Sequence, residues 1–522
     1  MKTFAGKAAV TADKIRGGYY TPAPIARFLA GWVTQAGPRV LEPSCGDGRI
    51  LRELAALSDQ TRGVELVAAE AAKARTFAPV DTADLFSWSG GCEFDGVAGN
   101  PPYIRFGHWA AQQREPALAM LHREGLRPSR LTNAWVPFVV ASTALVREGG
   151  RVGLVLPAEL LQVGYAARLR DYLVSRYREI TLVTFRRLVF DGVLQEVVLF
   201  CGIAGAGPAR IRTVQLDSAD ALADADLEVP SAPALLHERE KWTAYFLDPA
   251  QIRLLRALQE SDVLSRLGGV AEVDVGIVTG RNSFFTFTDP QAHELGLVPH
   301  CVPLVSRSTQ LSGLVYDNDC RTSDSAAGQR TWLLHAPAQP QDGALLAHIA
   351  AGEAAGVHRG YKCSLRKPWW TTPSLWVPDL FMLRQIHLSP RLTVNAAQAT
   401  STDTVHRVRV AAGIDPRALA AVFHNSATFA FAEIMGRSYG GGILELEPAE
   451  AERLPIPPPA CADPDLAVDV DLLLRANEIE KALDLVDRRV LIEQLGVSPD
   501  VVAQCRAAWR ALRRRRTGRG TR

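Results

Sequence analysis

Short runs of consecutive apolar residues alternate with longer segments of mixed polarity between residues 37 and 205. The runs occupy residues 39–41, 63–66, 96–99, 151–156, 180–185 and 197–200. Such runs are typical of buried strands, and most are separated by helix-length segments such as residues 49–57 and 138–147. The alternation predicts an α/β domain with a mostly parallel sheet and helices on both faces. The glycine-rich segment 202–208 is predicted to end this unit.

The rest of the chain is patterned less regularly. Residues 209 to about 460 contain stretches rich in proline and glycine and an aromatic pair at Trp369 and Trp370. Farther on, apolar residues recur at helical spacing, at Leu472, Ala476, Ile479, Leu483, Val486 and Val490. We therefore predict three parts: an α/β domain over residues 1–235, an irregular α+β domain over 236–460, and a helical segment with a basic tail over 461–522.

The charge of the chain is balanced overall but uneven along its length. The 522 residues include 58 Lys and Arg against 56 Asp and Glu, a net charge of +2. Eight arginines and no acid lie between Arg506 and Arg522, so the residues before them are net negative. Binding to a polyanion would therefore need positive charge gathered on one face. For the basic tail, a solvated disordered end and a phosphate-binding role are equally open.

Cysteine spacing and hydropathy indicate the compartment. The eight cysteines include no Cys-x-x-Cys pair, which argues against a zinc ribbon or a disulfide scaffold and favours a reducing cytoplasm. The longest apolar run, residues 135–146, is shorter than the ~18–20 residues of a membrane helix. Lys7 and Asp13 interrupt the N-terminal apolar stretches, unlike a signal peptide. We expect a cytoplasmic protein that does not enter a membrane.

Three acidic or glycine-containing segments follow successive predicted strands. The first, Val40-Leu-Glu-Pro-Ser-Cys-Gly-Asp-Gly-Arg-Ile-Leu51, predicts a strand that turns through two glycines into a helix, where the backbone can approach a ligand. Glu65 ends the next strand, where an acid can accept both hydroxyls of a ribose. Asp84 and its apolar neighbours suit an adenine ring and amine. Each acid alone is as well explained as a helix cap or loop residue, but together they point to an adenosine-bearing cofactor.

A fourth segment, Gly99-Asn-Pro-Pro-Tyr103, directly follows a predicted strand. Asn-Pro and Pro-Pro are turn signals, so a tight turn is the simplest interpretation. The two prolines also fix the backbone and remove two donors, which leaves the Asn side chain and a carbonyl as acceptors. Two acceptors beside an aromatic ring suit a planar amine, whose nitrogen lone pair would then be freed for attack on an electrophile.

These segments, in this order, resemble the gamma-class N(6)-adenine DNA methyltransferases of the TaqI type. The resemblance extends over Tyr19-Tyr-Thr-Pro22, Leu41-Glu-Pro-Ser-Cys-Gly46, Glu65, Asp84, Asn100-Pro-Pro-Tyr103, Asn133-Ala-Trp-Val-Pro-Phe138 and residues 149–157 and 189–199, and more loosely over 276–282, 366–370 and 453–457. It implies a Rossmann-like class I methyltransferase domain over residues 1–235, a DNA target-recognition domain over 236–460 and a helical C-terminal segment.

The resemblance also implies a role for individual residues. S-adenosylmethionine would be the cofactor, and its binding residues would be Tyr20, Thr21, Glu42, Ser44, Gly46, Glu65, Leu66, Asp84, Leu85 and Asn100. The catalytic residues would be Asn100, Pro101, Pro102, Tyr103 and Phe190, with Asn100 and the Pro101 carbonyl on the target amine and the two aromatic rings on the base. No metal is expected. The target base would have to leave the duplex to reach such a site.

The resemblance implies double-stranded DNA as the partner, with the second domain reading its sequence. By analogy and side-chain type, the candidate contacts are Arg281, Asn282, Arg366, Lys367, Arg437 and Tyr439, although solvated surface charge is an equally simple account of each. About 16 residues precede the Gly17–Pro22 motif, so we expect no nuclease within the chain and a separate restriction endonuclease encoded elsewhere. We expect the chain to act as a monomer in the bacterial cytoplasm, at the nucleoid.

Three alternatives remain open on sequence alone. An N(4)-cytosine DNA methyltransferase would use the same amine-binding logic, although Asn rather than Ser at position 100 favours adenine. A catalytically inactive DNA-recognition subunit is a further alternative, which the intact Asn100–Tyr103 and Glu65 disfavour. A methylase of protein glutamine shares Asn-Pro-Pro-Tyr but does not need some 300 residues after the catalytic unit.

Overall fold

The structure, a computed structural model, describes residues 21–90, 93–187, 189–190, 196–229, 231–233, 241–439 and 441–518. Contacts between residues divide the chain into two compact units, the first reaching Pro249 and the second spanning Ala250–Thr517. The predicted three-part division at residues 235 and 460 stays a prediction.

A nine-stranded sheet forms the framework of the first unit. Its strands are β1 (Val40–Glu42), β2 (Thr61–Glu65), β3 (Val80–Thr82), β4 (Phe94–Gly99), β5 (Val146–Pro157), β6 (Tyr177–Phe185), β7 (Val197–Ala204), β8 (Arg210–Leu216) and β9 (Ala232–Pro233). The helices of this unit are α1 (Ala23–Val33), α2 (Arg49–Ala55), α3 (Ala68–Ala74), α4 (Ala111–Arg123), α5 (Trp135–Ala144), α6 (Glu159–Gln162) and α7 (Ala167–Arg176).

The strands lie in the order β3-β2-β1-β4-β5-β7-β6-β8-β9. The first five are parallel, whereas β7 runs antiparallel to β5 and β6, and β9 antiparallel to β8. The sheet is therefore mixed. β1 lies between β2 and β4 and is parallel to both. The loops that follow these three strands therefore leave the same edge of the sheet, where ligands of parallel sheets bind.

Burial explains why the apolar runs identified the strands. Consecutive residues Leu154, Val155 and Leu156 of β5 are all buried, so both faces of the sheet are covered. On one face α1 contributes Ile25 and Leu29 to a core cluster that also contains Val155. This alternation of apolar strands and covering helices is the α/β architecture that the sequence predicted.

The sequence missed three strands, β3, β8 and the two-residue β9, and misplaced the end of the sheet. The six predicted strands are all present, but β3 has only three residues and β8 is half polar, so neither has a long apolar run. The glycine-rich segment 202–208 does not end the unit, because Gly205 and Gly207, both with positive φ, lead the chain into β8. Since β8 pairs in parallel with β6, the sheet continues past the glycine-rich segment 202–208.

The second unit contains four small sheets in place of one large one. They have the strand orders β11-β20-β16-β18-β14, β12-β15-β13-β19, β17-β22-β21 and β10-β23. The strands are β10 (Ser265–Arg266), β11 (Ala271–Asp274), β12 (Thr286–Thr288), β13 (Cys301–Val305), β14 (Val315–Tyr316), β15 (Arg330–Leu334), β16 (Leu380–Leu383), β17 (Gln385–Ile386), β18 (Leu392–Asn395), β19 (Thr400–Ser401), β20 (Val405–Val410), β21 (Arg437–Tyr439), β22 (Ile443–Glu445) and β23 (Pro455–Ile456).

Helices surround these sheets, in the irregular α+β arrangement that the sequence suggested. They are α8 (Pro249–Glu260), α9 (Asn282–Phe285), α10 (Asp289–Glu294), α11 (Asn318–Ala326), α12 (Gly343–Ala354), α13 (Tyr361–Ser364), α14 (Pro416–Phe423), α15 (Ser426–Met435), α16 (Pro448–Ala451), α17 (Leu466–Arg475), α18 (Ile479–Val486) and α19 (Pro499–Thr517). A π-helical segment, Asp487–Gln494, continues α18. The ring of Trp369 packs 5.0 Å from that of Phe284 in an aromatic core.

Within the described ranges, no single helix has the length and apolar character to cross a membrane. The bent pair α14 and α15 passes that test only when its two helices are combined. Both helices are largely buried in the second unit.

As far as Gly518, the basic tail is neither disordered nor wholly solvated, so the interpretation as a solvated disordered end is wrong for these residues. The phosphate-binding role stays a prediction. Residues up to Thr517 form α19, which packs against α15, with the buried Trp509 ring 5.5 Å from Phe429. Arg506 donates to Asp487 Oδ2 at 2.9 Å. Arg516, 1% exposed, donates through two nitrogens to the carboxylate of Glu433 at 2.7 and 3.0 Å. These two arginines therefore neutralise buried acids; Arg519 and Arg522 lie outside the described residues.

We predict that the buried pair of Arg516 and Glu433 is essential for the second unit. Arg516→Met leaves the Glu433 carboxylate buried without a cation, so the free energy of unfolding should fall by about 3–5 kcal/mol. The control Arg514→Met removes an exposed arginine of the same helix and should change it by less than about 0.5 kcal/mol. Denaturant titration compares the variants, and adding Glu433→Leu to Arg516→Met should recover part of the loss. Equal stability of the two single variants would contradict the prediction.

Candidate active site

A cavity of about 300 Å³ opens at the carboxyl edge of β1, β2 and β4 in the first unit. Residues from the loops after these strands, from the loop after β3 and from α4 and α5 line it. The side chains and backbone around it include Thr21, Glu42, Pro43, Ser44, Cys45, Gly46, Asp47, Arg49, Glu65, Leu66, Val67, Glu70, Asp84, Leu85, Phe86, Asn100, Pro102, Ile104, Trp109, Gln113 and Phe138. The strand order thus gathers residues from Thr21 to Phe138, which lie 117 positions apart in the sequence.

The loop after β1 needs its two glycines. Gly46 and Gly48 have φ of +53° and +88°, a left-handed region that other residues adopt only with strain. A Cβ at Gly48 would also lie 2.9 Å from the Cα of Ala74, so α3 could not pack against the loop. The backbone N–H of Cys45 donates to the Val64 carbonyl at 3.0 Å and joins the loop to β2.

Glu65 connects the loops after β1 and β2. One carboxylate oxygen accepts the backbone N–H of Gly46 at 2.9 Å, and the other accepts that of Val67 at 2.8 Å. Each carboxylate oxygen has two acceptor positions, so this side chain is held in place and still has capacity for a ligand hydroxyl. The structure therefore presents a fixed anionic acceptor at the end of β2.

Glu42 is a buried acid without full compensation. It is 3% exposed, and within the part of the chain that the structure describes neither its Oε2 nor the hydroxyl of Ser44 has a hydrogen-bond partner. Burial raises the pKa of Glu42 well above its ordinary range, and the nearby charges of Asp47 and Glu65 act in the same direction, while the Leu51 backbone opposes them. Such a group favours a cationic or hydrogen-bond-donating ligand in the cavity.

Asp84 lies next to a cluster of aromatic side chains that line the cavity. Its Oδ1 accepts the backbone N–H of Phe86 at 3.1 Å, which turns the chain after β3. The Phe86 ring lies 4.8 Å from Phe138 and 6.4 Å from the buried Trp109. Three rings and a carboxylate on one side of the cavity can accommodate a planar heterocycle with an amino group.

The segment Asn100–Tyr103 follows β4. The Asn100 amide nitrogen donates to the Thr21 hydroxyl at 3.2 Å, a contact that holds the side-chain plane at the cavity. Pro102 lines the cavity, whereas Pro101 is buried. The Tyr103 hydroxyl donates to the Val155 carbonyl at 2.9 Å, so the end of β5 fixes its ring.

Phe190 lies away from the cavity lining. It is 7% exposed and packs in the core cluster against which the Tyr103 ring also packs. Residues 188 and 191–195 on either side are outside the described residues. Its role as a partner of Tyr103 on a base stays a prediction.

The sequence identified most of the cavity but not all of it. Thr21, Glu42, Ser44, Gly46, Glu65, Leu66, Asp84, Leu85, Asn100 and Pro102 lie around this one cavity, and Tyr20 is outside the described residues. Phe86 and Phe138 belong to motifs already recognised, so their positions could have been inferred. Trp109 and Gln113 were missed, because nothing in the local pattern distinguishes a residue that faces a cavity from one that faces a core. Asp47 and Arg49 pair at 3.2 Å at its edge.

The candidate DNA contacts of the second unit differ in their accessibility. Arg281, Asn282 and Lys367 are exposed, and Tyr439 is about half exposed. The guanidinium of Arg366 instead donates to the Thr371 carbonyl at 2.8 Å, and that of Arg437 pairs with Glu450 at 2.9 Å. Whether any of the six contacts DNA stays a prediction.

Two family models match the chain in succession. Residues 53–190 match the Eco57I restriction-modification methylase, and residues 239–491 match the C-terminal domain of the type II methyltransferase M.Eco57I. The relatives include the type II methyltransferases M.AccI of Acinetobacter calcoaceticus and M.XamI of Xanthomonas campestris pv. amaranthicola. M.AccI is 20% identical over 83% of this chain and 84% of its own length, and M.XamI 22% over 84% and 85%.

Solved structures share the fold at lower identity. The type IIL restriction-modification enzyme MmeI, solved in complex with DNA, has a TM-score of 0.59 at 14% identity. The alignment covers 94% of this chain and 75% of the MmeI chain. The DrdV–DNA complex has a TM-score of 0.52 at 10% identity, over 87% and 57% of the two chains. With the two family models covering both units in order, the chain belongs to the Eco57I family of type II restriction-modification DNA methyltransferases.

Proposed function

We propose that the chain transfers a methyl group from S-adenosylmethionine to the exocyclic N(6) amine of an adenine flipped out of duplex DNA. The observation that carries this proposal is the single cavity at the edge of the sheet. The acids Glu42, Glu65 and Asp84 and the side chain of Asn100 all line it. In this proposal the cofactor site and the amine-binding loop would therefore adjoin each other.

The residues around the cavity suit S-adenosylmethionine. Glu42 and Ser44 would bind the ammonium group of the cofactor. A cation there would stabilise the ionised form of the buried Glu42 carboxyl, whose pKa is raised in the free protein. Glu65 would accept the ribose hydroxyls, and Asp84 the adenine amine beside the ring of Phe86. When bound, this cofactor supplies a methyl group on a positively charged sulfur, which a neutral amine can attack directly.

Asn100 would be the main catalytic residue. Its amide nitrogen is engaged by Thr21, so its oxygen would accept a hydrogen bond from the target amine. An acceptor held in that position withdraws the amine nitrogen from conjugation with its ring and orients the lone pair. Much of the barrier reduction would come from alignment of the reacting groups, worth up to about 7–11 kcal/mol in ideal systems. The Pro101 carbonyl would accept the second N–H, and Tyr103 with Phe190 would hold the base.

Duplex DNA is the proposed partner, supported by the DNA complexes of MmeI and DrdV whose fold this chain shares. A base within a duplex must rotate out to reach such a cavity, at a cost of a few kcal/mol. We further propose that the chain acts as a monomer in the bacterial cytoplasm and that a separate endonuclease cleaves the unmethylated site.

One experiment tests the acceptor. The purified chain is incubated with plasmid DNA and S-adenosylmethionine. One portion of the DNA is digested to nucleosides to identify the modified base, and single-molecule sequencing of the intact remainder locates it. N(6)-methyladenine at one sequence context is the expected product. If the product is N(4)-methylcytosine, the acceptor is cytosine and not adenine. If no DNA acquires a labelled methyl group, the chain is an inactive recognition subunit.

We predict that Glu42→Gln stabilises the free protein and weakens cofactor binding. The unfolded chain ionises Glu42 near its ordinary value of 4.5, whereas the folded chain retains the proton to higher pH, so deprotonation favours unfolding above that value. The variant should gain about 1–3 kcal/mol at pH 7, and the gain should vanish below pH 4.5. Melts at both pH values and calorimetry with S-adenosylmethionine measure this.

Glu148→Gln removes an exposed acid of β5 and serves as the control. It should change neither the melting temperature nor cofactor affinity. Loss of stability at pH 7 in Glu42→Gln, with unchanged cofactor affinity, would remove Glu42 from the proposed ammonium site.

We predict that Asn100→Ala retains cofactor and DNA binding but loses about 100-fold or more in the single-turnover rate, the usual cost of removing a hydrogen bond made in the transition state. Thr21→Val, which removes the partner of Asn100 but leaves its acceptor oxygen, should lose less. Thr21→Ser should remain near wild type. Wild-type turnover in a folded Asn100→Ala protein would show that Asn100 is only a turn residue.

A further inference from the structure

Two segments of the second unit that lie about 80 residues apart form one surface. They are the loop 276–282 and the segment 359–367, which contains α13. Arg366 joins them, because its guanidinium donates to the Thr279 carbonyl of the loop and to the Thr371 carbonyl beyond α13. The guanidinium carbon of Arg366 (Cζ) also lies 5.0 Å from the centre of the Phe285 ring. Arg366 is therefore a positioning residue that faces inward.

Close packing fixes this surface. Gly280 has φ +85°, and a Cβ there would lie 2.9 Å from the Cβ of Lys362. The loop and α13 therefore approach each other as closely as backbone allows. The aromatic core that contains Phe284 and Trp369 lies beneath them. The exposed side chains of the surface consequently project from a rigid base.

Two large side chains project from this base into solvent. Tyr361, the first residue of α13, is 74% exposed, and Leu365, the residue directly after α13, is 65% exposed. The Lys362 ammonium lies 5.7 Å from the centre of the Tyr361 ring. An exposed aromatic and an exposed aliphatic side chain four residues apart on a rigid surface are costly to leave in water, which indicates a binding partner.

The charge around this pair is of one sign. Residues 354–378 contain Arg359, Lys362, Arg366 and Lys367 and no acid, and residues 276–288 contain Arg281 and no acid. The nearest preceding acid in the sequence, Glu353, accepts the indole N–H of Trp369. In a chain of net charge +2, this gathers on one surface the positive charge that a polyanion needs.

We propose that Tyr361 and Leu365 insert between adjacent base pairs of duplex DNA while Lys362, Lys367 and Arg281 bind the flanking phosphates. Apolar side chains that enter a base step next to cations unstack it and bend the duplex. The inference rests on the proposed function, since it assumes that DNA is the substrate, and it names the residues of the second unit that grip it. The chemistry recognised is a stacked base step between phosphates, which a protein partner does not offer.

The test measures DNA affinity by fluorescence anisotropy with the full chain and an end-labelled duplex that contains the methylation site. Tyr361→Ala should weaken binding by about 5- to 100-fold, the usual effect of removing an aromatic ring from a base. Tyr361→Phe retains the ring and should bind like wild type. Leu472→Ala, an exposed leucine on α17, is the control for Leu365→Ala. Thermal melts establish that each variant is folded.

Two further measurements separate stacking from charge. Energy transfer across a doubly labelled duplex should report a bend that Tyr361→Ala reduces and Tyr361→Phe retains. Lys362→Ala should lower the slope of log affinity against log salt by about 0.9, the contribution of one phosphate. Lys481→Ala, whose lysine pairs with Glu478 on α18, should leave that slope unchanged.

The outcomes distinguish this inference from the proposed function. Unchanged DNA affinity and bending in folded Tyr361→Ala, while the wild type methylates adenine, would overturn the insertion and leave the methyl transfer intact. A wild type that binds DNA through Tyr361 but methylates no adenine would overturn the proposed function alone. Tyr361→Phe behaving like Tyr361→Ala would show that the hydroxyl and not the ring makes the contact, and would also overturn the insertion.

Discussion

The carboxylate of Glu65 joins the loops after the two neighbouring strands β1 and β2 through the amides of Gly46 and Val67. This contact exists only because the strands are parallel and adjacent, which brings both loops to the same edge of the sheet. The same loop after β1 contains the left-handed Gly46 and Gly48, and the missing Cβ of Gly48 lets α3 pack against it. The rest of the cavity, from the Asp84 turn to Asn100, is arranged around that fixed acid.

Buried charge is used in opposite ways in the two units. In the second unit, the carboxylate of Glu433 is fully matched by the guanidinium of Arg516, so the pair stabilises the packing of α19. In the first unit, Glu42 is buried beside Asp47 and Glu65, and its raised pKa reports a charge that the protein alone does not balance. An incompletely compensated acid costs stability, and at a ligand site that cost becomes affinity for a cation.

The arginines of the second unit show that residue type alone does not predict whether a side chain points into the protein or into solvent. Arg366 and Arg516 are equally plausible from sequence as contacts to phosphate, yet both are directed into the second unit, on backbone carbonyls and on an acid respectively. Their inward direction leaves the exposed cations near α13 as the positive surface. A guanidinium is well suited to either task, because its five donors match carbonyls and carboxylates as well as phosphates.

The sequence by itself determined the α/β class, six strands of the main sheet and three of the five acids around the cavity, because apolar runs and turn residues act locally. It did not determine the short strands β3 and β9, the half-polar β8 or the antiparallel direction of β7, since these depend on pairing with strands distant in the chain. Only the tertiary structure showed that Trp109 and Gln113 face the cavity and that Arg366 and Arg516 face inward. Periodicity identifies which residues share a face of an element, but the neighbouring elements decide whether that face meets a core, a cavity or solvent.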